Sequence, residues 1–207
     1  MSTLEASLER ALDAGEISAY FQPQVDLDTG RIVAAEALCR WRSPLHGDVS
    51  PAEFIAVAED SGLIDEIGRY MTEQGCIALA EWPVDVSVNV SPYQLRTASF
   101  SEWVAQHLEA HEGRGGALTL EITESRELDD IPGVQLRLDP LRDLGVGISL
   151  DDFGIGYSSL AQLERLRANE VKLDRSLVAD ESTSARALMM EAIAFAHECG
   201  MRVVAEG

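Results

Sequence analysis

The stretch Val146-Gly147-Ile148-Ser149-Leu150-Asp151-Asp152-Phe153-Gly154-Ile155-Gly156-Tyr157-Ser158-Ser159-Leu160 decides the reading of this chain. A short apolar run ends on two adjacent carboxylates, passes through a glycine-rich turn, and meets serines suited to cap a helix. Where a strand ends this way, the chain can turn so that both acids face one site. The same pattern recurs on both sides. Glu36 stands in Val33-Ala34-Ala35-Glu36-Ala37-Leu38, Asn89 in Val86-Ser87-Val88-Asn89-Val90, and Glu121 in Leu118-Thr119-Leu120-Glu121-Ile122. Lys172 lies in Val171-Lys172-Leu173, and Glu206 follows Val203-Val204-Ala205. A charge inside a buried strand is costly unless it is paired or holds a metal. One such residue per strand predicts a shared site at one end of a barrel. Hard oxygen donors without clustered His or Cys point to Mg²⁺ or Mn²⁺, not zinc.

Between these runs the chain alternates strand and helix signals. Residues 17–27 and 31–41 read as strands joined by Asp28-Thr29-Gly30, a connection short enough only for antiparallel pairing. Ser50-Pro51-Ala52-Glu53 reads as a capping box with Pro at the first helical position. Helices are expected near 64–81, 101–111, 133–144, 158–166 and 184–198, and strands over 84–90, 117–123, 146–151, 170–174 and 202–206. Pro140 is expected to kink or shorten its helix. Repeated strand–helix–strand units imply parallel strands with right-handed crossovers, covered by helices. An α/β fold of TIM-like (β/α) barrel type follows, with active residues at the carboxyl ends of the strands. An open doubly wound sheet fits less well, because no Gly-rich nucleotide fingerprint follows the first strand.

At 207 residues the chain suits one domain, residues 1–207, with enough apolar content for a large core. Its 36 acidic and 16 basic residues give a net charge of −20, which argues against an electrostatic grip on DNA or an anionic membrane. An anionic ligand would need metal ions or a local cluster of cations. Most acids, Glu59, Asp60, Glu127, Asp129 and Asp130 among them, read as solvated. Cys39, Cys76 and Cys199 show no metal or redox spacing, so a reducing, cytoplasmic setting is expected, with Cys39 and Cys76 in the core. No run is long enough to span a membrane. His46, His107, His111 and His197 lie outside every strand-end position.

Each singled-out residue has a second reading. Glu36 reads also as a solvent-facing strand acid, Asn89 as the cap of a helix after Ser91-Pro92, and Lys172 as one half of a buried ion pair with Asp151 or Asp152. Glu124 reads also as an N-cap or surface acid, and Gly154-x-Gly156 as a simple turn. Gln22 and Arg40 are of types common near strand ends.

Taken with Glu36-Ala37-Leu38, Glu121-Ile122-Thr123-Glu124-Ser125, Val171-Lys172-Leu173-Asp174-Arg175-Ser176 and Val204-Ala205-Glu206-Gly207, the Asp151-Asp152 segment resembles the bacterial EAL domain family of cyclic di-GMP phosphodiesterases, from about residue 20 to 207. The resemblance implies a modified TIM barrel with an antiparallel first strand. It also implies hydrolysis of one phosphodiester of cyclic di-GMP to linear pGpG with two Mg²⁺ or Mn²⁺ ions. By that resemblance Glu36, Asn89, Glu121 and Asp151 hold one metal. Asp151 bridges to a second, held also by Asp152 and Glu206. Lys172 contacts the attacking water, Gln22 a guanine, and Arg40 a phosphate. Glu124 steadies the 153–159 loop. Ile155 stands where the family usually has Thr.

The family continues past the equivalent of Gly207 with a helix, a final strand and a Gln-Gly loop, so this chain is expected to lack the last strand. It is expected to belong to a longer chain, with sensor or GGDEF partners, or to associate with another copy as a homodimer. The competing function is a cyclic di-GMP receptor without turnover; a pure interaction module on a retired barrel fits the full ligand set poorly.

Overall fold

The apolar runs form the strands of one curled sheet. The computed structural model describes residues 3–110, 115–123, 131–154 and 160–207. Strands β1 (Ile17–Val25) and β2 (Ile32–Ser43) pair antiparallel through the expected tight turn. There the Asp26 carboxylate accepts from Thr29 N, and Gly30 takes a positive φ of 65°. Strands β4 (Asp85–Val90), β5 (Leu118–Thr123), β6 (Gly147–Phe153), β7 (Glu170–Leu173) and β8 (Arg202–Ala205) then run parallel, beginning with β4 beside β2. The order is β1-β2-β4-β5-β6-β7-β8, so β1 and the four-residue β8 end the path. The architecture is the expected α/β, TIM-like one with an antiparallel first strand.

One strand was not anticipated: β3 (Gly47–Val49) folds back on the end of β2. The described helices are α1 (Thr3–Ala11), α2 (Pro51–Ser61), α3 (Ile64–Glu81), α4 (Ser99–Ala110), α5 (Val134–Asp143), α6 (Leu160–Leu166), α7 (Arg175–Ala179) and α8 (Thr183–Glu198). The short α7 also went unread. Its N-cap is Asp174, whose side chain accepts from Ser176 N. Helix α2 starts at Pro51 as expected, but the Ser50 side chain makes no capping hydrogen bond. Its carbonyl instead accepts from Glu53 N and Phe54 N. Pro140 sits inside α5 without ending it. Cys76 is buried and Cys39 half-buried, and burial pushes their thiols up to about 11 and about 12, so both are inert core groups.

Alternation along the parallel strands sorts the residues by face. Val86, Val88, Leu118, Leu120, Ile122, Ile148, Leu150, Val171 and Leu173 are all buried and join one core with Phe100, Val104, Leu138, Leu141, Leu163, Ala192 and Ala196 of the helices. Gly75 lets α3 lie directly on this face, since a Cβ there would stand 2.8 Å from Val88 Cγ2. The intervening positions are polar: Asp85, Ser87 and Asn89 on β4, Thr119 and Glu121 on β5, Ser149 and Asp151 on β6, and Glu170 and Lys172 on β7. The apolar face holds the helices, and the polar face lines the concave side.

Among the described glycines, Gly116 makes the tightest approach to backbone. A Cβ there would lie 2.1 Å from the Val84 carbonyl oxygen, an atom with no rotamer by which to retreat. Gly116→Ala is expected to destabilise the domain by about 1–3 kcal/mol, the usual cost of overpacking, read as a lower urea midpoint with an unchanged slope. An unchanged midpoint would contradict this packing.

Candidate active site

At the carboxyl ends of the strands the polar face converges on one ammonium. Lys172 Nζ stands 2.7 Å from Glu121 Oε2, 2.9 Å from Glu206 Oε1, 3.1 Å from Glu36 Oε2 and 3.2 Å from Asp151 Oδ1. Its side chain is 2% exposed and that of Glu121 0%. Asn89 Nδ2 donates to Glu36 Oε1 at 2.9 Å. Register explains the convergence: Asn89 and Glu121 are Cα partners on β4 and β5, and Gln22 lies directly across β1–β2 from Glu36. The ion-pair reading of Lys172 thus holds with Asp151, and three further carboxylates share the ammonium. Asn89 serves Glu36, and no capping bond from its side chain is present among the described residues.

Two groups of carboxylates can each hold a metal. Oxygens of Glu36, Glu121 and Asp151 lie within 4.8 Å of one another, and so do those of Asp151, Asp152 and Glu206. Asp151 belongs to both. Glu121 Oε1 is buried and has no hydrogen-bond partner. An orphaned carboxylate oxygen in an all-oxygen donor set is what a hard divalent cation fits. Asp152 reaches its group through a break in the β6–β7 register between Leu150 and Phe153, at a positive φ of 59°. Asp tolerates that conformation better than most side chains.

The electrostatics follow from one cation among several anions. Burial drives Glu121 well above the ordinary carboxylate range, and the Glu36 and Asp151 charges add to this against the pull of Lys172. Burial, then Asp151 and Glu206, push Asp152 up to about 6. Burial alone would lower Lys172, but the Glu121, Asp151 and Glu36 charges overcome it and hold its pKa above the usual value.

The cluster opens into a groove of about 1470 Å³, whose walls include Gln22, Arg40, Glu59, Asn89 and Arg175. Gln22 and Arg40 both line this groove. Arg40 Nη1 donates to the Cys39 carbonyl at 2.9 Å. Glu124 and Ile155 lie outside the described residues, as do Glu127, Asp129 and Asp130. Glu59 corrects the sequence reading. It is no freely solvated acid but a groove wall, accepting from Ser91 Oγ at 2.6 Å. Gln94 was missed altogether. It is 1% exposed, and its Oε1 accepts from Ser91 N at 3.0 Å. It fits only because residue 68 is glycine, for a Cβ there would stand 2.0 Å from Gln94 Nε2. This contact between α3 and the segment after Asn89 fixes the loop that carries Ser91. No spacing rule reveals it, since the partners are 26 positions apart, 94 less 68.

The EAL domain family model matches residues 5–207. The chain is similar to the cyclic di-GMP phosphodiesterase PA2567 of Pseudomonas aeruginosa, at 38% identity over 213 residues, covering 99% of this chain and 36% of that protein. It is 39% identical over 212 residues to the oxygen sensor protein DosP of Escherichia coli, covering 99% of this chain and 26% of that protein. Among solved structures, the PaMucR phosphodiesterase in complex with c-di-GMP superposes with a TM-score of 0.90 at 34% identity, over 100% of this chain and 87% of that one. The chain thus spans only 26% and 36% of the two curated relatives named.

Two predictions rest on this geometry. Lys172→Met leaves buried carboxylates without their cation, and the metal-free protein is expected to lose about 3–5 kcal/mol in chemical denaturation. Mg²⁺ or Mn²⁺ should return part of that loss, and equal stability of variant and parent would refute the shared-ammonium account. The second concerns pH. Glu121 and Asp152 have folded-state pKa values raised above their unfolded ones, so the folded protein keeps protons that the unfolded chain has released. Metal-free stability should therefore fall as pH rises through about 6, where Asp152 ionises, and on toward the higher value of Glu121. Thermal melts between pH 5 and 9 read this, and a divalent cation should flatten the fall.

Proposed function

The chain belongs to the EAL domain family, and we propose that it hydrolyses one phosphodiester of cyclic di-GMP to linear pGpG with two Mg²⁺ or Mn²⁺ ions. One observation carries the reading: two carboxylate groups that share Asp151 and meet around Lys172. Glu36, Asn89, Glu121 and Asp151 would hold the first ion, and Asp151, Asp152 and Glu206 the second. Such a pair of ions, when bound, supplies Lewis acidity and an activated water for in-line displacement.

The rest falls to the chain's own groups. Lys172, held by Glu121, would orient the attacking water and stabilise charge that develops on the phosphate. Arg40 faces the same groove and suits a phosphate oxygen. Gln22, across from Glu36, offers an amide to a guanine edge. Water oxygen bonds to phosphorus and the P–O3′ bond breaks, leaving a 5′-phosphate and a free 3′-hydroxyl. Hydrolysis by two divalent ions needs no imidazole base. A name such as cyclic di-GMP phosphodiesterase belongs to the relatives. It supports the same substrate here because the match covers nearly all of this chain.

Calorimetric titration with cyclic di-GMP, paired with product analysis in Mg²⁺ or Mn²⁺, tests the proposal. Binding with pGpG formation is expected, and binding without product would make the chain a receptor. Glu36→Ala and Asp151→Ala should each abolish turnover and leave the fold intact, with the greater loss at Asp151. Asp152→Asn should chiefly weaken binding of the second ion, so that the rate saturates only at higher metal concentration. Turnover by Asp151→Ala at the parent rate would defeat the two-ion assignment.

A further inference from the structure

Beneath the Lys172 cluster, one step further along each strand, the polar face changes character. Arg202 on β8 donates through Nε to Glu170 Oε2 at 2.5 Å and through Nη1 to Asp85 Oδ2 at 3.2 Å. This second charged group lies toward the amino ends of the strands. Small hydroxyl residues stand between the two groups, Ser87 on β4 and Ser149 on β6, which are 3% and 0% exposed. Register ties the levels together, since Glu121, Ser149, Glu170 and Arg202 are successive Cα partners across β5, β6, β7 and β8.

Three polar atoms at this level have no hydrogen-bond partner: Ser87 Oγ, Ser149 Oγ and Glu170 Oε1. Each lies on a residue at least 97% buried. Two are hydroxyls that must donate, and one is a carboxylate oxygen that must accept. More than nine in ten buried polar groups are satisfied by protein or by ordered water. Leaving one unpaired costs about 1–3 kcal/mol. Ser149 and Glu170 are neighbours on the same face of adjacent strands, so one small molecule with both donors and acceptors can reach both. Ser87 and Ser149 are the short side chains of this level, beside the longer Glu170 and Arg202. A buried polar site with several convergent partners is the setting in which buried water is retained.

We infer that the interior of the sheet between the two charged groups is a water-binding site. One resident water bridges Ser149 Oγ and Glu170 Oε1, and another bonds Ser87 Oγ. The bridging water gives Glu170 its second donor, completing the shell that Arg202 begins. It also gives the underside of the Lys172 cluster a hydrogen-bonded lining in place of an apolar one.

Ser149→Thr and Ser149→Val test this directly, because they add the same bulk and differ only in hydroxyl against methyl. High-resolution crystal structures should show water within hydrogen-bond distance of Glu170 Oε1 and residue 149 in the parent and in Ser149→Thr. It should be lost in Ser149→Val. Oxygen-17 relaxation dispersion should count one long-lived water fewer in Ser149→Val. A dry interior in the parent, or the same water kept in Ser149→Val, would overturn the inference. Should Ser149→Val fail to fold, the parent and Ser149→Thr structures still decide it. None of these readouts involves turnover, so they stand or fall apart from the proposed activity.

Discussion

One ammonium shared by four carboxylates is the constraint around which this fold is organised. Lys172 reaches Glu36, Glu121, Asp151 and Glu206 from the centre of the concave face. Those acids come from strands far apart in sequence, and only a curled parallel sheet in this order brings them to one level. The ammonium makes the gathering tolerable, since burying a carboxylate without a partner is prohibitive. It does not make the gathering neutral. Glu121 and Asp152 are both pushed upward, the mark of an excess of negative charge. That excess is a standing attraction for hard cations, and the orphaned Glu121 Oε1 shows where one would be accepted.

The cluster survives because the two faces of the sheet have separate tasks. Outward positions such as Val88, Leu120, Ile148 and Val171 are fully buried against helices and supply the apolar contribution to stability. Inward positions are freed from that task and carry acids, amides, hydroxyls and a lysine. A substitution on the outer face is therefore expected to act through packing, with large-to-small changes costing about 2–5 kcal/mol. One on the inner face acts through charge and hydrogen bonding. Gly75 marks where the outer face meets α3 too closely for a side chain.

This division explains what could be read from sequence. Charges in apolar runs are improbable enough to stand out, so Glu36, Glu121, Asp151, Lys172 and Glu206 were visible one by one, and their shared strand-end position predicted their meeting. The antiparallel first pair was legible because a tight turn around Gly30 allows nothing else. Other features carry no local signal. Gln94 becomes important only through contact with Gly68, and Glu59 only through Ser91. Ser87 and Ser149 look like ordinary strand filler until register places them between two charged groups. The short β3 and α7 fell below the length at which periodicity speaks. Asp152 was found by its neighbours in the chain, but its left-handed backbone and the register break beside it belong to tertiary structure.

The charge balance also bears on the order in which ligands arrive. The chain carries a net −20, and the walls of the groove hold few cations, Arg40, Arg175 and Arg202 among them. Of these, Arg202 is already engaged by Glu170 and Asp85, and Lys172 is fully occupied by carboxylates. A phosphodiester approaching the metal-free groove therefore meets a field that repels it, with two arginines to offset four or more acids. Cation binding reverses the sign of that local field before any substrate contact is made. On the proposed function, metal and anionic substrate are thus coupled ligands. The same crowding of carboxylates that destabilises the empty cluster makes the groove able to accept a dinucleotide once that crowding is relieved.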